Sequence, residues 1–245
     1  IYILSFCNAD LKKKKKNMKV IYLWHEMLNT LDIHSISDPD CFGIAVAWIS
    51  YIADIFSDVN VTIQQHRNGV LPPDGNSVLR IFGSKLFAAS LKMNGFESAY
   101  AISLGGLCRI FCERPFTNFQ ENYLLNFYHT IENFFKNMQS NDLSKKQIFV
   151  HGATLFACGF QGARTLASSF FQNIHSIIHE SKDATLRLAA ITMLSSFVCL
   201  EWHFWPTDSM FVDLCVCVCV CVCVSVLLMD IYTYICICIC LYFFI

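Results

Sequence analysis

From Val20 to Trp202 the apolar residues recur at the three-and-four spacing of a helix, and no stretch between them holds the two-residue period of a half-buried strand. That regularity makes the expected fold class all-α. Val20–Leu31 sets Ile21, Trp24, Leu28 and Leu31 on one face. Ser37 or Asp38 can cap the next helix, with Pro39 at its first position. It should run to about Phe56 and bury Phe42, Val46, Ile49, Ile52 and Phe56. The stretch from Asp58 to Asn76 holds Asn68-Gly69, Pro72-Pro73 and Asp74-Gly75, so it is expected to be a long loop. Asn76 or Ser77 then opens a helix to about Met93, and Glu97–Cys112 forms another, ended by Pro115. Phe119–Met138 follows, with an apolar stripe of Tyr123, Phe127, Ile131, Phe134 and Phe135. Ser140–Lys145 is expected to be a polar turn. Gln147–Cys158, Ala163–His179 and Ala184–Trp202 complete the set, with Gly159 and Gly162 as breakers and Asp183 as the last cap.

That makes about eight helices. Several faces are too apolar for a small closed bundle; Phe170 and Phe171, for instance, lie beside Leu166, Ile174, Ile177 and Ile178. Stacked helical hairpins explain this, because each pair covers one side with its neighbour. The expected architecture is an α-solenoid of the HEAT/armadillo kind. Asp183-Ala-Thr-Leu-Arg187-Leu-Ala-Ala190 resembles the second helix of a HEAT repeat, with an acidic cap, an Arg and small residues that allow close approach.

Charge excludes some functions. With 18 Lys and Arg against 19 Asp and Glu, the chain has no basic field for nucleic acid or an anionic membrane. Only 15% of residues are charged, against about 25% in a usual soluble domain. The excess apolar residues suit a buried module of something larger, or an ordinary domain with an unusual apolar segment.

The second description fits the ends. Lys12–Lys16 precedes the first methionine, Met18, and is what an adenine run yields in frame. A secretion signal is not expected, because the charged run follows the short apolar start. Leu214–Val224 alternates Cys and Val, as translated TGT-GTG repeats do, and Tyr232–Cys240 has the same character. Residues 1–18 are therefore read as non-native or disordered, 19–205 as the helical repeat region, and 206–245 as an apolar low-complexity tail, disordered or non-native. Eight of the 14 cysteines fall in that tail, so cysteine number is no argument for a secreted disulfide framework. A strand of alternating Cys would line its thiols in a row rather than converge them on a metal. The run Leu214–Met229 is short for a membrane span and ends at Asp230.

Candidate chemistry is sparse. His175 and His179 share a helix face, with Glu180 beside them, at metal-ligand spacing. No second cluster supplies further ligands, so two partly exposed histidines are the preferred reading. Cys108 and Cys112 are read as buried thiols, because a redox pair is usually spaced Cys-x-x-Cys. Gly105-Gly106 inside a helix suggests close packing, and no phosphate-loop lysine follows it. Gly152-Ala-Thr and Gly159-Phe-Gln-Gly162 carry no nucleotide signature, and Arg109 and Arg114 are too isolated for a nucleic-acid patch. No catalytic residue, cofactor site or metal site is assigned.

Ser77–Ala89 (Ser-Val-Leu-Arg-Ile-Phe-Gly-Ser-Lys-Leu-Phe-Ala-Ala), then Gly105–Cys112 (Gly-Gly-Leu-Cys-Arg-Ile-Phe-Cys), then Tyr123–Tyr128 form an ordered series. This series resembles the non-catalytic helical region of the Ral GTPase-activating protein complex, most closely its beta subunit. Leu107–Cys112 is the best match. The alpha subunit is similar over the same span, including the stretch around Gln161-Gly-Ala163 and the approach from Pro72-Pro73 to Ile81–Phe87. The resemblance covers roughly Trp24–Leu200. It implies a part-protein whose beta-type subunit pairs with an alpha subunit. The alpha subunit's distant carboxy-terminal domain stimulates GTP hydrolysis by Ral-type GTPases with a catalytic Asn. No residue here matches that Asn. The 58–76 loop is shorter than the Ser/Pro-rich insert associated with the beta subunit, so beta and alpha both stay open.

The first expectation is thus a cytoplasmic, non-enzymatic scaffold that works by contact with a partner or catalytic subunit, and through it with a Ral-type GTPase. The alternative is a small membrane-anchored helical protein held by residues 210–245. A third, an enzyme built on the His175/His179 face, ranks last.

Overall fold

Asp38 stands before Pro39, and its carboxylate Oδ2 accepts the Cys41 backbone N–H at 2.8 Å. That is the cap a proline-started helix needs, and it opens α1, Pro39–Ser57. The computed structural model describes residues 23, 26–28, 30, 32–57, 74–92, 95–113, 118–137 and 142–199. Among these, every regular element is helical and none is a strand, as the periodicity requires. Most of the expected first helix, residues 58–73 of the expected loop, and the segments 1–18 and 206–245 lie outside the described residues.

The next helix begins earlier than expected. Asp74, not Asn76 or Ser77, is the cap, and its Oδ1 accepts the Ser77 N–H at 2.9 Å. The composite helix α2 comprises Gly75–Val78, a π-helical turn Leu79–Gly83 and Ser84–Ala89. The wider turn changes the phase of the side chains, so Val78, Leu79, Ile81, Phe82, Leu86 and Ala89 are all buried. Asn76, inside α2, donates from Nδ2 to the Asn118 carbonyl and accepts the Gln120 N–H, both at 2.9 Å. α3 spans Glu97–Cys112, as expected, and α4 spans Glu121–Asn137.

The boundary between two compact units, Ile1–Thr130 and Ile131–Ile245, falls within α4. In the first unit α1 packs along α3. Phe42 meets Phe96 edge-on at 5.1 Å, Ser50 lies against Gly106, and Asp54 accepts from Arg109. The partners advance together along both helices, so α1 and α3 run parallel. Lys92 closes the start of this pair. Its ammonium sits 4.2 Å from the Phe42 ring centroid and 5.0 Å from that of Phe96, and it donates to the Ile36 carbonyl at 3.2 Å.

In the second unit the expected elements shift. The described part of the expected turn Ser140–Lys145, residues 142–145, is helical: α5 runs Asp142–His151. The expected helix Gln147–Cys158 stops at His151, and the chain turns through 152–159. The polar residues form the first turn of α5, where Asp142 favours the helix's positive end. The apolar Leu155 and Phe156 are buried from turns rather than from a helix. Gly159 and Gly162 have φ of 67° and 84°, a left-handed conformation that stops helical propagation there. A 3-10 turn, Ala163–Leu166, leads into α6, Ala167–Glu180, and α7 is Ala184–Cys199. Asp183 caps α7 as expected, with Oδ1 accepting the N–H of Thr185 at 2.9 Å and of Leu186 at 3.3 Å. α7 packs on both α5 and α6. Phe170 sits at the centre of this unit, with Phe135, Phe149 and Phe156 all edge-on at 4.9–5.4 Å.

Candidate interaction surface

α1 carries two apolar faces. The inner one, Phe42, Val46, Ile49 and Ala53, is buried. The outer one holds Ile44, Trp48, Tyr51 and Ile55, which are 50–60% exposed. Their spacing of four, three and four residues places them in a single row along the helix. Cys41, also exposed, extends the row by one more turn. The rings of Trp48 and Tyr51 lie 6.1 Å apart, edge to face. Aromatic side chains of this kind, exposed in a row, are typical anchors of helix recognition rather than ordinary surface residues.

The row is held straight by what lies beneath it. Ser50 is buried, and a Cβ on Gly106 would stand 2.5 Å from its hydroxyl oxygen. Close approach is therefore the reason for that glycine, as expected from the sequence. Arg109 reaches from α3 to donate from Nε to Asp54 Oδ1 and from Nη2 to Ser50 Oγ, each at 2.8 Å. A charged clamp thus fixes the rotation of α1 about its axis and with it the direction of the outer row. Among the described residues, Pro39–Phe56 is the one helix long and apolar enough to cross a membrane; a core helix passes the same test, and the inner face of α1 packs on α3.

The other sequence candidates lie apart from this surface. His175 and His179 are exposed on α6, with ring centroids 4.7 Å apart. Glu180 accepts from the Ser176 hydroxyl at 3.4 Å, and among the described residues no three His, Cys, Asp or Glu side chains converge as a metal group. Cys108 and Cys112 are buried in α3, as expected, and burial pushes the Cys108 thiol up to about 12. Burial likewise pushes the Tyr100 phenol to about 12. Arg114 lies outside the described residues.

The outer row is not among the surfaces expected from the sequence. Its signal was present as a second stripe offset from the first on the same helix, but periodicity alone does not say which stripe the fold covers. From the sequence, Asp183 is expected as a cap alone. It also accepts the Lys146 ammonium at 2.6 Å, which joins α5 to α7. That hydrogen bond, with those from Leu186 and Thr185, holds its carboxyl below the usual 3.8.

No protein-family model matches this chain. No solved structure matches it either. Over 185 residues, 73% of its length, it is 28% identical to a Rap-GAP domain-containing protein of Dictyostelium discoideum. The chain spans about a tenth of the length of that relative.

Proposed function

We propose that this chain is a non-catalytic scaffold region of a Ral GTPase-activating protein complex subunit, of beta type first and alpha type next. In this reading it works in the cytoplasm by helix-to-helix contact with a partner subunit, and a GAP domain elsewhere in the assembly stimulates GTP hydrolysis by a Ral-type GTPase. Its helices belong to a HEAT-like solenoid that extends beyond them. The observation that carries the reading is the 28% identity to a Rap-GAP domain-containing protein over 73% of this chain. An all-helical fold with an aromatic row left exposed on α1 supports a role in contact.

Purification of the intact endogenous protein tests this. A Rap/Ran-GAP-domain subunit should come with it, and the complex should hydrolyse Ral-bound GTP faster than the catalytic subunit alone. A protein that purifies as a stable lone monomer, with no effect on hydrolysis, refutes the proposal.

A further inference from the structure

The outer row of α1 has the periodicity of a coiled-coil seam. Counted in sevens, Cys41, Trp48 and Ile55 take the first position (a), and Ile44 and Tyr51 the fourth (d). The buried residues Phe42, Val46, Ile49 and Ala53 take positions away from the seam, so packing against α3 leaves it unobstructed. The seam is about 21 Å long, at roughly 1.5 Å per residue.

Its edges differ. The seventh positions (g) are Asp40, Ala47 and Asp54, and the fifth (e) are Ala45 and Ile52. One edge carries Asp40, which is exposed, and Asp54, which is already paired with Arg109 of α3; the other edge is apolar, and α1 itself carries no Lys or Arg. Edge charges decide which helices pair and in which direction. A second copy of the chain is a poor match. Whether the helices pair parallel or antiparallel, a second α1 offers no Lys or Arg to Asp40. An anionic bilayer is a poor match too, since helices that lie on membranes border their apolar face with Lys and Arg.

We propose that the α1 seam docks one amphipathic helix of a partner protein, with apolar residues at heptad spacing and Lys or Arg along the edge that faces Asp40. This deepens the scaffold reading and rests on it only in taking the α1 surface to serve contact. Trp48 and Tyr51 are the anchors. Asp40 is the selector, since Asp54 already accepts from Arg109.

The test uses the full chain and two synthetic three-heptad peptides with Leu at both seam positions, one with Lys and one with Glu along its edges. Fluorescence anisotropy should show the Lys peptide binding about threefold more tightly, as one edge pair changed from attraction to repulsion allows. Trp48→Ala and Tyr51→Ala alter exposed side chains, and each should abolish binding while helix content is retained. Asp40→Lys should narrow or reverse the preference. Equal binding of both peptides, no binding, or binding untouched by Trp48→Ala overturns the proposal. So does a homodimer in sedimentation equilibrium, or flotation with phosphatidylcholine/phosphatidylserine vesicles, that Trp48→Ala removes. A chain that selects the Lys peptide but never accompanies a GAP subunit leaves this inference standing and refutes only the GTPase reading.

Discussion

Ser50 Oγ occupies the space that a side chain on Gly106 would need, for a Cβ there would come within 2.5 Å of it. The same oxygen accepts from Arg109 Nη2 at 2.8 Å, so it cannot turn away without loosening the clamp. Gly106→Ala should therefore destabilise the protein by about 1–3 kcal/mol, even after the helix-propensity gain of roughly 1 kcal/mol. Gly43, on α1, is the control, because nothing lies within 4 Å of its Cβ position. Gly43→Ala should stabilise by about 0.5–1 kcal/mol. Urea unfolding of the two variants beside the parent checks both, and the same sign for both would refute the close-approach argument.

These two glycines also mark the limit of what sequence could show. Both sit inside apolar helical runs and look alike there; only the neighbouring helix separates them. Caps were legible because a cap is local: Asp38 before Pro39 and Asp183 before Ala184 each need only their own next turn. The start of α5 was not, since polar residues at 140–145 resemble a turn as much as an exposed first turn of helix. Lys146 finds its partner 37 residues away, which no local period encodes. The outer row of α1 was legible as a pattern but not as a surface, because deciding which stripe is covered requires α3.

The Lys146–Asp183 pair should give the protein an acid-sensitive element. Hydrogen bonds from Lys146, Leu186 and Thr185 lower the folded-state pKa of Asp183 below its ordinary 3.8. A group depressed on folding stabilises above its unfolded pKa, and that contribution is lost as pH falls through the folded value. The advantage of the parent over Asp183→Asn should thus be full at about pH 5 and shrink steadily below about pH 3.8. Asn still caps a helix well, so the comparison isolates the charge. Urea midpoints for both proteins across that range check it; a difference independent of pH would show that the pair contributes nothing electrostatic.

Thiol reactivity should separate Cys41 from Cys108. Cys108 is buried, and desolvation pushes its thiol up to about 12, so almost no thiolate exists at neutral pH. Cys41 is exposed, though Asp38 beside it raises its pKa as well. Iodoacetamide at about pH 8 should alkylate Cys41 slowly and leave Cys108 untouched until urea unfolds the chain. Peptide mass spectrometry reads the sites one by one. Native-state labelling of Cys108 at a rate near that of Cys41 would mean that the α3 core opens readily.

Phe170 should be the most sensitive position of the second unit. It is fully buried, and Phe135, Phe149 and Phe156 each present an edge or face to it at 4.9–5.4 Å. These rings arrive from α4, from α5 and from the turn after α5, so one side chain joins three successive segments. Phe170→Ala removes the shared contact surface of all three and leaves a cavity, at a cost of about 3–5 kcal/mol. Phe170→Leu keeps most of the volume and should cost less, though it loses the edge-to-face geometry. Leu188, on α7 and 50% exposed, is the matched control, and Leu188→Ala should change stability by no more than about 0.5 kcal/mol. Hydrogen exchange read peptide by peptide should rise across α5, α6 and the 152–159 turns in Phe170→Ala. If Phe170→Ala and Leu188→Ala cost the same, the aromatic cluster is not what holds this unit together, and the burial assigned to it is wrong.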